Sequence, residues 1–147
     1  MKDFKLNEAR EDVENLLRYV SWLESKRQVS VSHIYNENGL SKNSFAFPVY
    51  DSTLLSFIRE AEATKMIDSN YQYLYSEHFV RGIDDERKII EESGIKEAGN
   101  ICAIFSKYVL KGMTKGLVWE EGVFNGIFLD CILKWKKLLE IWDAPLA

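Results

Sequence analysis

Apolar residues recur at three- and four-residue intervals from the start of the chain: Leu6, Val13, Leu16, Leu17, Val20 and Leu23. That spacing puts them on one helical face and predicts a helix over about Asn7 to Ser25, with Glu14 and Arg18 as an i,i+4 pair on the other face. Leu54, Leu55, Ile58 and Ala61 repeat the pattern in a second helix, capped by Asp51 or Ser52 just after Pro48 and ended by Asp68-Ser69-Asn70. A short third helix is capped by Asp84, carries Asp85 and Glu86 in its first turn, and closes at Gly94. A fourth covers about Lys96 to Lys111 on the stripe Ile101, Cys102, Phe105, Tyr108 and Val109, with Gly112 as its stop. The last contains Phe128, Leu129, Ile132, Leu133, Trp135, Leu138, Leu139 and Trp142. It is apolar over most of its circumference, so it belongs at the centre of the packing.

Between the first two helices the pattern fades. Val29 and Val31 alternate with serines, a strand signal or a helix extension, and Asn36-Glu37-Asn38-Gly39 reads as a turn. Ser41 to Ser44 reads as a mobile polar segment, whereas Phe45, Phe47 and Tyr50 are too apolar for a free loop and should dock on the core. Tyr71, Tyr73, Leu74, Tyr75 and Phe79 form an aromatic cluster before a break at Arg81-Gly82. The architecture expected is all-α: a compact orthogonal bundle of five to seven helices in a single domain over residues 1–147, with room for one short hairpin near Lys111 to Trp119.

Composition narrows the functional classes. With 147 residues, 46% hydrophobic and 13% aromatic, the chain can bury a core and is not of the disordered class. A net charge of −4 weighs against a nucleic-acid binder acting by bulk electrostatics. MKDFKLNEAR has no apolar run of a secretory signal, and the apolar stretch Gly126 to Trp135 is broken by Asp130 and Lys134. Cys102 and Cys131 fall on helical stripes and read as reduced, buried small hydrophobes of a cytoplasmic protein. His33 and His78 lack partners at ligand spacing, so neither a metal nor a cofactor is expected.

Three segments, FPVYDSTLLSFI (Phe47 to Ile58), IDSNY (Ile67 to Tyr71) and KGMTKGLVWEEGVFNGIFLDCILKW (Lys111 to Trp135), together resemble the core of a bacterial family of small proteins known only as a domain of unknown function. The resemblance covers about Leu6 to Leu139. It rests on a Pro-aromatic lead-in to a helix and a glycine-punctuated turn before an apolar C-terminal helix. It implies no activity, cofactor or catalytic residue.

The glycine-punctuated stretch is where residues depart furthest from what packing needs. Gly112, Gly116, Gly122 and Gly126 match neither GxGxxG nor GxxxxGK[ST], so turns and close backbone approach account for them. Glu120 and Glu121 could serve acid–base chemistry, but neighbours on a helix diverge by about 100°, and an acidic first turn is the ordinary reading. Lys134, Lys136 and Lys137, flanked by Trp135 and Trp142, offer contact with an anionic membrane or nucleic-acid phosphate or, more plainly, a solvated helix edge. Ser52, Ser56 and His78 form no nucleophile set.

The preferred expectation is therefore a non-enzymatic protein that acts by association with a protein partner or with itself. Two alternatives remain: a hydrolase or transferase using Glu120, Glu121 or His78 in an acidic pocket, and nucleic-acid binding through Lys134–Lys137. The candidate site is Lys115, Gly116, Trp119, Glu120, Glu121 and Asn125, faced by Tyr50. Trp119 would supply apolar contact, Lys115 an anion contact, and Glu121 and Asn125 orientation.

Overall fold

The structure is a computed structural model that describes residues 4–35 and 47–144, with backbone alone at 32–35 and 47–49. A 3₁₀ turn at Leu6–Ala9 leads into α1 (Arg10–Leu17) and α2 (Val20–Lys26). β1 (Ser32–Tyr35) and β2 (Phe47–Tyr50) precede α3 (Ser52–Glu62), α4 (Gln72–Glu77) and α5 (Ile83–Glu92). A second 3₁₀ turn, Ile95–Glu97, opens α6 (Ala98–Lys111), and α7 (Val118–Phe124) and α8 (Ile127–Asp143) complete the order. The fold is an all-α bundle.

A helix apolar on most sides must be covered on most sides. Accordingly α8 packs against α1, α2, α5, α6 and α7. Its Phe128 and Trp135 are fully buried and meet Phe105 of α6 edge to face at centroid distances of 5.6 and 5.0 Å. Phe57 of α3 joins the same cluster, 5.1 Å from Phe128 and 6.2 Å from Phe105. Edge-to-face contacts of this kind add about 0.5–1.5 kcal/mol each beyond area burial. Cys102 and Cys131 are buried and unpaired, and burial holds both thiols well above the usual thiol range.

Several expectations change at the level of single residues. The first helix is two, because the chain tightens at Arg18–Tyr19, where the Tyr19 amide donates to Leu16 O at 3.0 Å and Arg18 Nε donates to Asn15 O. The break aims both side chains at α3: Arg18 pairs with Glu60 rather than with Glu14, and Tyr19 Oη donates to the other Glu60 oxygen at 2.7 Å. That split contributes to a total of eight α-helices among the described residues instead of five to seven. In α3 Leu54, Ile58 and Ala61 are buried as expected, but Phe57 completes that face in place of Leu55, which is exposed, and the helix ends at Glu62, before Asp68. The third expected helix begins at Ile83, with Asp85 accepting from the Arg81 amide, and it closes at Ser93, whose hydroxyl donates to Ile89 O. Trp142 projects from the exposed end of α8.

A hairpin exists, but not at Lys111 to Trp119, where the chain winds on through turns into α7. It is formed by β1 and β2, paired antiparallel with Ser32 opposite Tyr50 and Tyr35 opposite Phe47. Of the two readings of Val29 and Val31, the strand is close to the outcome, since Val31 O accepts from the Asp51 amide next to the ladder. The turn expected at Asn36–Gly39, the segment Ser41–Ser44 and Phe45 lie outside the described residues.

Phe57→Ala should lower unfolding free energy by about 3–5 kcal/mol, because it removes a ring from the buried cluster. Leu55→Ala on the same helix should stay within about 0.5 kcal/mol of the parent. Urea titrations of both variants check the face assignment, and equal effects would contradict it.

Candidate functional site

The residues expected to form a site around the glycine-rich stretch divide in the structure. Tyr50 and Trp119 come together, with ring centroids 5.2 Å apart. Trp119 Nε1 donates to Val109 O at 2.8 Å, and the indole lies directly over Gly112, where an added Cβ would stand 2.1 Å from its Cδ1. Gly112 has an ordinary helical φ of −65°. It stands directly after the last residue of α6, where the helix stops as expected, and it also leaves room for Trp119. The left-handed residue of this turn is Leu117, at φ 72°, and not Gly116. Left-handed backbone costs a residue with a side chain about 1–2 kcal/mol. A donated hydrogen bond from the Leu117 amide to Tyr50 Oη, 2.9 Å long, holds it there.

Tyr50 and Trp119 are thus a clamp that joins the hairpin to the α6–α7 turn. Lys115 and Gly116 sit exposed at the apex of that turn. Glu120 accepts from the Ser30 hydroxyl, and Glu121 faces solvent. Asn125 is half-buried, and its carbonyl accepts from Arg87. None of Tyr50, Lys115, Gly116, Trp119, Glu120, Glu121 or Asn125 lines any of three concave regions among the described residues. His78 lines a groove that neither glutamate reaches.

Two other arrangements carry more chemistry. The first is internal. Glu86 of α5 is 1% exposed, yet it is fully partnered: Tyr75 Oη of α4 donates at 2.6 Å, Tyr108 Oη of α6 at 2.5 Å and Lys107 Nζ at 3.0 Å. Lys107 Nζ also lies 5.0 and 4.8 Å from the centroids of the two tyrosine rings. Burial first, and then the hydrogen bond to Glu86, pushes both phenols far above the usual tyrosine range. The network fastens α4 to α5 and α6.

The second arrangement is on the surface that α4 presents. A groove of about 820 Å³ runs between α4 and the start of α6. Leu74, Gly99 and Ala103 contribute to its lining, and its charged groups are Asp68, Glu77 and Glu97 against Lys96, with His78 beside them. Tyr73 lines it at 58% exposure. Next to His78, Phe79 is 74% exposed and left-handed at φ 52°. The Val80 amide donates to Tyr75 O at 3.0 Å, so Phe79 occupies the helix-closing position that normally takes glycine.

Comparison with protein-family models, curated proteins and solved structures returns no match to this chain.

Among the described residues, no group of three or more His, Cys, Asp or Glu side chains could hold a metal ion, and no helix is long and apolar enough to cross a membrane. The aromatic cluster Tyr71–Phe79 was visible in the sequence as a composition, but not its division of labour. Tyr75 turns inward to Glu86, while Tyr73 and Phe79 turn out. The one local signal is that Phe79 falls where a helix must end before Arg81-Gly82.

Gly112→Ala should destabilise by about 1–3 kcal/mol through displacement of the indole. Near-parental stability in a denaturant titration would contradict the close approach. The phenols give a pH prediction. Their folded-state proton affinity exceeds that of the unfolded chain, so their contribution is complete below about pH 10 and falls as pH rises beyond it. Each should remove about 1.4 kcal/mol of stability per pH unit above that point. The Tyr75→Phe/Tyr108→Phe double variant should show a shallower decline in urea titrations between about pH 9 and 11.

Proposed function

We propose that this protein is a non-enzymatic interaction domain that holds a cationic segment of a protein partner in the α4–α6 groove, with Phe79 and Tyr73 as aromatic anchors. Phe79 carries the reading. At a left-handed, solvent-exposed position folding alone favours glycine, because the helix-closing bond from the Val80 amide to Tyr75 O forms equally well with glycine there. Exposed aromatics beside a concave surface are the usual anchors of protein recognition.

Charge gives the partner its chemistry. Three carboxylates against one ammonium make the groove acidic, and its apolar lining suits a short segment with one large apolar side chain flanked by Lys or Arg. Two unpaired, buried cysteines suit a cytoplasmic setting. The enzymatic alternative draws no support from the arrangement, because Glu120 is engaged with Ser30 and His78 lies in another region.

Peptide display against the intact protein tests this. The expected outcome is enrichment of sequences with an apolar residue between basic ones, whose binding falls at least about tenfold with Phe79→Gly. The same variant should be more stable than the parent by about 1 kcal/mol. Enriched peptides without basic residues, or binding indifferent to Phe79→Gly and Glu77→Lys, would sink the reading. So would a stable dimer that buries Phe79 in its own groove.

A further inference from the structure

A second charged recess, which shares no lining residue with the α4–α6 groove, lies elsewhere, along α5. It is a cleft of about 390 Å³ where the end of α2, α5 and α8 meet. Four cationic side chains line it, Arg27, Arg87, Lys134 and Lys137, against two carboxylates, Glu91 and Asp130. Two of the cations are fixed by backbone: Arg87 donates to Asn125 O, and Lys134 Nζ donates to Glu91 O at 2.8 Å. Arg27 follows α2 directly, and its guanidinium stem lies against Gly126, where an added Cβ would stand 2.9 Å from Nε. Gly126 has φ +78°, and the absent side chain leaves that space to the arginine.

The carboxylates do not use up this charge. Arg87 Nε stands 3.5 Å from Asp130 Oδ2, an ion-pair distance, but that buried nitrogen makes no hydrogen bond among the described residues. Desolvation holds the Asp130 carboxyl above the usual aspartate range, while Arg27 and Arg87 oppose that shift and Glu91 adds to it. Lys136, by contrast, turns to Glu140 and lies outside the cleft. The lysine run of α8 therefore splits, and two of its three members join arginines brought from α2 and α5.

We infer that this cleft binds the phosphate group of a small phosphorylated molecule. Its two guanidinium groups come from different elements, which suits the planar, several-point recognition that phosphate demands. Its volume is in the range of small-molecule sites, and Ile90 and Leu133 add an apolar wall. A duplex or single strand fits less well. The basic groups are confined to one recess with two carboxylates inside it, and the whole chain is net negative at −4.

Asp130 makes the test sharp. It is the group an incoming phosphate must displace or tolerate, so its neutralisation should strengthen binding. Calorimetric titration of the intact protein with pyrophosphate, and with inorganic phosphate, is the experiment. Saturable binding is expected, about tenfold weaker in Lys137→Gln and Arg27→Gln and several-fold tighter in Asp130→Asn. Lys96→Gln, in the other groove, should leave it unchanged.

Lys137 is exposed, so its variant tests the cleft without a folding defect, and far-ultraviolet circular dichroism checks the other two. Absence of saturation, or binding unmoved by both Lys137→Gln and Asp130→Asn, would overturn the inference. So would tighter binding of a single-stranded oligonucleotide with a steep salt dependence.

Discussion

Phe105 is the point on which the packing turns. Its ring meets Phe57, Phe128 and Trp135 edge to face, so α3, α6 and α8 share one rigid joint rather than three separate contacts. Rings of that size need space, and the opposing elements supply it by omission. Gly122 on α7 has no Cβ because Phe128 occupies that volume, with an added carbon only 2.5 Å from the ring, and Gly112 yields in the same way to Trp119. Aromatic bulk on one helix and glycine on the next form a single constraint. It explains why a glycine-rich stretch adjoins the most apolar helix of the chain.

Much of this was legible in the sequence, at the level of faces and stripes. The centrality of α8 followed from its near-continuous apolar circumference, and the inward stripe of α6 from its spacing. What escaped depends on partners distant along the chain. The break at Arg18–Tyr19 is stabilised by Glu60, which no local pattern marks. The exposure of Leu55 has a local reason instead: Leu54, Phe57, Ile58 and Ala61 follow the i, i+3, i+4, i+7 spacing of one helical face, and Leu55 stands about 100° off it. The glycines of the stretch around Trp119 serve turns and close approach, as their spacing indicated, and two of them are contact points of the core; what no local signal marked is that the left-handed residue is the neighbouring Leu117.

The two candidate surfaces are opposite in sign. The groove beside α4 is acidic, and the cleft at α2, α5 and α8 is basic. Both touch helices that the Glu86 network binds together, since α4 borders one, α5 the other, and Lys107 and Tyr108 of α6 close the set. A buried carboxylate with three donors tolerates little displacement, because any lost donor leaves charge without compensation. The network therefore fixes the spacing between a face suited to a basic peptide and a face suited to a phosphate.

The two buried thiols carry a different consequence. Cys102 borders a small cavity of about 160 Å³ that Phe4 and Met66 also line, near the start of the chain, whereas Cys131 is sealed between α8 and its neighbours. Loosening of the first turn alone would bare one sulfur, while the other emerges only when the central helix leaves its seat. A thiol-labelling reagent applied to the native protein would thus record two separate clocks, one for fraying and one for global opening, written into the chain without an added probe.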